Sequence, residues 1–266
     1  MAMLKYAELV EELQPKAFLL ENVKGLLSAA LQHRPLETRG KDKEPLKDEE
    51  KPGSALAFLL RKFRSYTIDV HTVNAADYGV AQKRERVFII GIRKDIEGKF
   101  VFPSPTHGKG GGNLLPWRTV EEVLAKLHVR ETEHHYVNYS EERLKYMKMI
   151  PKGGGNWRDL PEEVVKDAMK GAYNSGGGKV GFFRRIKLNE PAPTLLTSPH
   201  QKSTNLGHPL EDRPLSIEEY LCIQGFPLDY RITGTINDQY TQIGNAVPVE
   251  LAYKLGRAIY NFLEQE

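Results

Sequence analysis

Four clusters in this chain have residue types that could manage a proton or a developing charge. Gln82, Arg84 and Arg86 alternate within residues 78–93 (YGVAQKRERVFIIGIR), directly ahead of a run of β-formers. Loops at strand ends are where open α/β sheets bind ligands, so these side chains are candidates for a site as well as for a solvated approach. Glu21 and Asn22, in Glu21-Asn22-Val23, place a carboxylate and an amide after the apolar run 17–20 (AFLL). Asn245 stands in Gly244-Asn245-Ala246-Val247-Pro248. Each has a plainer reading, with Asn22 and Asn245 as helix caps and Glu21 favouring a positive helix end. The fourth cluster, between residues 166 and 187, interleaves Lys166, Lys170, Lys179, Arg184, Arg185 and Lys187 with Tyr173, Phe182 and Phe183, against the single acid Asp167. Cations neutralise phosphate and small loops approach base edges, so this pattern suits a nucleic-acid surface; it also suits a solvated face over core aromatics.

The elements that must position these groups follow from periodicity. Leu4, Ala7, Leu9, Val10 and Leu13 recur at helical spacing, and Pro15 closes that helix. Residues 17–20 read as a short buried strand, followed by a helical stretch over 24–32 with Asn22 near its start. Residues 33–53 (HRPLETRGKDKEPLKDEEKPG) lose their apolar content and read as a mobile surface insertion, because burial cannot offset their ordering entropy. A helix capped by Ser54 is expected to residue 63, then a strand over 66–73. Residues 87–92, a Val/Ile/Phe run, read as a strand buried on both faces. From residue 94 the texture is irregular, with prolines at 103, 105 and 116 and glycine runs at 110–112, 153–155 and 176–178, interrupted by helical patches at 120–127 and 141–149. Ser216 with Glu219 forms a capping box for a helix that Gly225 ends, and Pro248 opens a terminal helix with Leu251, Leu255, Ala258, Ile259 and Phe262 on one face.

Composition bounds the possibilities. A chain of 266 residues can bury a substantial core, and a net charge of +3 permits a polyanion partner without demanding one. Cys222 is the single cysteine, which excludes an internal disulfide framework and a cysteine metal cluster and fits a reducing compartment. No apolar run approaches a membrane span, and the N-terminal pattern is not that of a signal peptide, so a cytoplasmic protein without a metal is expected.

The order of the pieces carries more than any one of them. Glu-Asn-Val after a strand, Gln-x-Arg-x-Arg before a strand, a Gly-rich region, Arg-Pro-Leu-Ser-x-x-Glu with Gln-Gly-Phe-Pro, and Gly-Asn-Ala-Val-Pro together resemble the DNA cytosine-5 methyltransferases. In that family's terms residues 21–23 resemble motif VI, 74–81 motif VII, 82–86 motif VIII, 213–227 motif IX and 244–247 motif X. The resemblance implies an α/β fold: the C-terminal part of a Rossmann-like S-adenosylmethionine-dependent sheet in residues 1–103, a smaller, loop-rich target recognition domain in 104–208, and a return to the catalytic domain in 209–266. Two pieces of the family pattern do not occur in these residues, the Phe-x-Gly-x-Gly cofactor loop and the Pro-Cys loop of the nucleophile. Cys222 cannot replace the latter, because it lies inside the motif IX helix, where a cysteine is most simply a small buried residue.

What the resemblance implies for chemistry is specific. A thiolate adds to carbon 6 of a flipped cytosine, which makes carbon 5 nucleophilic toward the methyl group of S-adenosylmethionine. Glu21 would reach ring nitrogen 3, acting as a donor if burial raised its pKa. Arg84 would hold the base carbonyl, Arg86 would support Glu21 or the backbone, and Asn22, Val23 and Gln82 would complete the cytosine pocket. Asn245 and Ala246 would border the cofactor, and Lys179, Arg184, Arg185 and Lys187 would grip duplex DNA. The absent loops imply a complementary polypeptide, as in a split two-subunit methyltransferase, or else a truncated reading frame. The cut would leave residues 17–20 as an apolar sheet edge. A non-catalytic DNA-binding descendant and an RNA methyltransferase are the competing classes.

Overall fold

A computed structural model describes residues 2–40, 42–110, 112–128, 133–176 and 178–264. Met1 and the glycine-run positions Gly111 and Gly177 lie outside the described residues. The chain packs into two compact units. One comprises the residues up to Asn74, Glu85–Pro103 and Leu255 onwards, and the other comprises Ala75–Arg84 and Ser104–Lys254. Residues 75–84 and 209–254 thus pack with 104–208, whereas the sequence assigns them to the catalytic part.

The first unit holds α1 (Ala2–Leu13), β1 (Ala17–Val23), α2 (Ser54–Leu60), β2 (Tyr66–Asn74) and a nine-residue strand over Glu85–Arg93, which becomes β4 in chain order after β3 (Gln82–Lys83) of the second unit. The sheet order is β1-β4-β2, with β4 antiparallel to both neighbours. β1 and β2 therefore point the same way, with the reversed strand β4 between them. Val87, Phe88, Ile89 and Ile90 of β4 are fully buried, as their unbroken apolar run requires. Phe18, Val87 and Ile89 face α1 and α2 through Ala7, Val10 and Leu59, with Phe63 from the turn after α2. On the opposite face Ile90 and Ile92 meet Ile96, Phe100 and the last turns of α8 (Val249–Leu263) through Ala258, Ile259 and Phe262.

β1 is covered on both faces, since Phe18 and Leu20 join the first cluster while Ala17 and Leu19 join the second. Among the described residues it pairs along one side only, with β4. An edge strand that is apolar on both faces and carries no charge over residues 17–20 has the composition of an interior strand.

Gly91 of β4 stands opposite Phe18, and a Cβ there would collide with the Phe18 ring. That ring is itself held by stacking on Phe63 at 4.4 Å and edge contact with Tyr66 at 5.1 Å. Gly91→Ala is expected to lower unfolding free energy by about 1–3 kcal/mol, read as a reduced urea midpoint at unchanged slope.

Several local expectations are corrected. The helix over 24–32 is a single 3-10 turn, Lys24–Leu27, with Val23 rather than Asn22 at its N-cap. Ser54 does not cap α2; Gly53, at φ 85°, takes that position and leaves the Ser54 hydroxyl to donate to Glu49 O and accept from Leu31 N–H. The insertion is mostly exposed, yet its two ends are tied by Arg34 and a buried Glu50, 2.6 Å apart, and by Gln32 N–H to Glu49 O.

In the second unit β3 pairs in parallel with β7 (Ala192–Pro193), and β5 (His107–Gly108) with β6 (Leu115–Pro116). Its main core joins α3 (Val120–His128), α6 (Ile217–Gln224) and α7 (Ile236–Asn245) through Val123, Leu124, Tyr220, Ile223, Tyr240 and Ile243. A second cluster is built on α4 (Glu141–Met147) and α5 (Glu162–Met169) around Met147, Val165, Met169 and Phe183. The Ser216–Glu219 capping box and the left-handed Gly225 bound α6 as its sequence indicates. α5 and α7 have no counterpart in the sequence reading, and Asn245 closes α7 instead of capping α8.

Candidate functional site

In the first unit the antiparallel pairing sets the geometry. Because β4 runs against β1, its opening residues lie beside the closing residues of β1, with Val23 opposite Arg86 and Glu21 opposite Phe88. Arg86 Nε then sits 2.8 Å from Glu21 Oε1, both side chains largely buried at 14% and 23% exposure. Arg86 Nη1 also donates to Glu85 O at 2.8 Å. Asn22 Oδ1 accepts the Val23 N–H at 2.8 Å while Nδ2 reaches Met3 Sδ at 3.2 Å, so its side chain braces the strand end. Val23 is exposed.

Gln82 and Arg84 belong to the second unit and are fully buried. Gln82 Nε2 donates to Gln224 Oε1 at 2.9 Å, and its Oε1 accepts from Leu195 N–H at 3.0 Å. Gln224 Nε2 in turn donates to Ile243 O at 2.6 Å and Ala246 O at 3.3 Å. Arg84 Nη2 donates to Gly244 O at 2.9 Å and Nη1 to Leu195 O at 3.4 Å. One buried amide relay and one guanidinium thus knit residues 82–84, 195, 224 and 243–246 together. Gln82→Leu would strand the Gln224 amide and the Leu195 N–H, at about 1–3 kcal/mol for each buried unpaired group. A melting temperature several degrees below that of the parent is the expected result.

The structure places the two arginines differently. Arg84 is 2% exposed and its terminal nitrogens are engaged by backbone carbonyls. Arg86 is the guanidinium that lies against Glu21. The reason is a break in the strand: β3 ends at Lys83, β4 starts at Glu85, and the residue between them follows the second unit.

Of the four expected DNA contacts, Arg185 is buried. Its five N–H donors reach Ile150 O at 3.2 Å, His208 O at 3.1 Å, Met147 O at 2.7 Å, and also Glu211 O and Asp212 Oδ1. A fully used, fully buried guanidinium has no donor for a phosphate. Arg184 is partly buried and touches Asn205 O at 3.4 Å, with burial holding its pKa down. Lys179 donates to Tyr173 O beside the Trp157 ring, and Lys187 is exposed with Glu190 at 2.9 Å. Gln224, Lys83 and Glu190 were given no role in the sequence reading, because the Gln82–Gln224 and Lys83–Glu190 pairs join residues 142 and 107 positions apart.

Cys222 is buried in α6, and burial pushes its thiol up to about 11, so it is not a nucleophile at neutral pH. Asn245 is exposed at the end of α7, and Ala246 follows as its C-cap. Among the described residues no group of three or more metal-ligating side chains converges, and no helix is long and apolar enough to cross a membrane.

A family model described as C-5 cytosine-specific DNA methylase matches residues 3–261. The Type II methyltransferase M.Sau96I of Staphylococcus aureus is 38% identical over 264 residues, covering 98% of this chain and 54% of that protein. M.PspPI of a Psychrobacter species is 35% identical, covering 97% and 56%, and M.Eco47II of Escherichia coli is 32% identical, covering 98% and 57%. The chain thus spans about half the length of the curated relatives it matches. Among solved structures, an E. coli prophage protein described as a DNA modification methyltransferase aligns with TM-score 0.57 at 20% identity, covering 97% of this chain and 73% of that one. That likeness shows a shared α/β fold.

Proposed function

The chain belongs to the C-5 cytosine-specific DNA methylase family, and we propose that it is the base-binding and DNA-recognition portion of a DNA cytosine-5 methyltransferase, completed by a polypeptide segment that carries the cofactor loop and the nucleophilic cysteine. The observation that carries this reading is the Glu21–Arg86 pair at 2.8 Å where β1 ends. Thiolate addition at carbon 6 of cytosine drives negative charge onto the ring nitrogen and carbonyl, and a carboxyl with a guanidinium alongside answers both positions. Glu21 takes ring nitrogen 3. Arg86, which touches Glu21, takes the base carbonyl and fixes the Glu21 side chain. Arg84 keeps the interlock of the second unit, and Asn22 and Val23 shape the strand end.

S-adenosylmethionine, the methyl donor of this family, supplies the group transferred to carbon 5. The residues present do not make up its site: at the 245–246 turn Asn245 offers one exposed amide, while the Ala246 carbonyl already accepts from Gln224. Asn245 and Ala246 therefore serve as a border to a site built elsewhere. The unpaired side of β1 is the seam along which the complementary segment joins, supplying the next strand to an apolar strand already covered on both faces.

The test is assembly. This chain, mixed with a polypeptide of the same source carrying Phe-x-Gly-x-Gly and Pro-Cys loops, is expected to elute as one heterodimeric species. A proline placed at Leu20, which β1 pairing tolerates poorly, should abolish it. Separate elution of two folded chains would contradict the seam.

A further inference from the structure

A cavity of about 200 Å³ in the second unit is lined by Gly154 and Arg158, by Arg184, Lys187 and Glu190 further along the chain, and by Lys83 of β3. Lys83, Arg158, Arg184 and Lys187 face a single carboxylate there, and the fifth lining cation, Arg185, is already paired with Asp212. Glu190 Oε2 lies 2.8 Å from Lys83 Nζ and Glu190 Oε1 lies 2.9 Å from Lys187 Nζ, so one carboxylate bridges two ammonium groups. All three side chains are partly exposed, at 39%, 42% and 53%.

The bridge is positioned from several directions. Lys83 ends β3, whose pairing with β7 sets Lys83 opposite Pro193. Lys187 passes so close to Gly154 that a Cβ there would strike its stem, which gives the 153–155 glycine run a role. The chain has two tryptophans, and each lies under a cation of this cavity: Trp117 5.6 Å from Lys83 Nζ, and Trp157 4.9 Å from the Arg158 guanidinium. Trp117 is itself anchored by its indole N–H on Asp77 Oδ1 at 2.8 Å.

We propose that Glu190 is an internal placeholder for a backbone phosphate of duplex DNA, holding Lys83 and Lys187 at the spacing of one bridged oxyanion until the phosphate takes its place. The inference deepens the DNA-recognition reading and rests on it. A carboxylate between two lysines presents the same pair of acceptor oxygens that a phosphodiester presents, and the three residual positive charges favour the polyanion once it arrives. The two lysines hold the Glu190 carboxyl down at about 2, so it is an anion at every working pH and its displacement needs no proton. A backbone contact of this kind carries no base information, so its effect is the same on any duplex sequence.

Fluorescence anisotropy of the whole chain on a labelled duplex, from about 50 to about 200 mM salt, tests it. The Lys83→Ala/Lys187→Ala double variant is expected to bind about tenfold more weakly, with the log–log salt slope shallower by roughly 0.9, the increment of one phosphate contact. Glu190→Gln is expected to bind about fivefold more tightly, the scale of one partly exposed ion pair, with the slope no shallower. Tryptophan emission should change on binding in the parent and less in the double variant. Circular dichroism shows that each variant is folded, and a second pair, Lys83→Arg/Lys187→Arg, should retain the parent's slope. Weaker binding by Glu190→Gln would make the carboxylate a scaffold for the lysines and overturn the proposal, as would an unchanged slope in the double variant. Tighter binding of structured RNA than duplex, lost in the same variants, would overturn the assignment to DNA. Absence of duplex binding by the parent would sink the recognition reading as well; parent binding unaffected by these variants sinks this inference alone.

Discussion

Glu21→Ala is expected to lower methyl transfer by the completed enzyme by about 10²- to 10⁴-fold, with duplex binding and melting temperature close to those of the parent. The expectation follows from position. Glu21 lies near the end of β1 at 23% exposure, its pairing partner Phe88 is fully buried, and among the described residues it pairs with the Arg86 guanidinium at 2.8 Å. The carboxyl therefore contributes little to the sheet, whose ladder and apolar contacts persist without it. Glu21→Gln keeps a hydrogen-bond donor but no transferable proton. It should recover part of the loss if a strong hydrogen bond at ring nitrogen 3 suffices, and none if the proton must move. Loss of duplex binding in parallel with activity would instead place Glu21 in DNA recognition.

The second large effect separates the two arginines, which look alike in sequence. Arg86→Ala is expected to reduce kcat by about 10²- to 10³-fold, the scale of removing one charge-stabilising donor, with near-parental stability. Arg84→Ala should act through the fold. It leaves the Gly244 and Leu195 carbonyls and a buried volume unfilled, at about 2–5 kcal/mol. Circular dichroism melts and single-turnover rates on the same preparations distinguish them. A stable, inactive Arg84→Ala beside an unstable, active Arg86→Ala would reverse the assignment.

What was legible in the sequence is what local chemistry decides. The run 87–92 is a buried strand because nothing polar interrupts it, and α6 begins and ends where Ser216, Glu219 and Gly225 say it does. The Glu21 strand end and the motif order were readable for the same reason. The remainder depended on partners far along the chain. Arg84 and Arg86, two apart, read together as the approach to one strand, but the break between β3 and β4 sends them to different units. Arg185 looked like its neighbours Arg184 and Lys187 until carbonyls from residues 147, 150, 208 and 211 claimed its donors. α7, between the end of α6 and Gly244, has no counterpart in the sequence reading; it is held by Ile236, Tyr240 and Ile243, which pack on the α6 core. Ser54 lost its cap to Gly53, whose left-handed backbone was open to it alone.

The most direct test of the central claim is transfer of labelled methyl groups from S-adenosylmethionine to duplex DNA. It is run with this chain alone, with the polypeptide carrying the cofactor and Pro-Cys loops alone, and with the two together. Transfer only by the mixture, lost on Glu21→Ala or Arg86→Ala, is the result expected. Transfer by this chain alone would contradict the account, because its one cysteine is a buried thiol in α6. A mixture that binds duplex DNA and transfers nothing would contradict it too, and would leave a DNA-binding protein without catalysis.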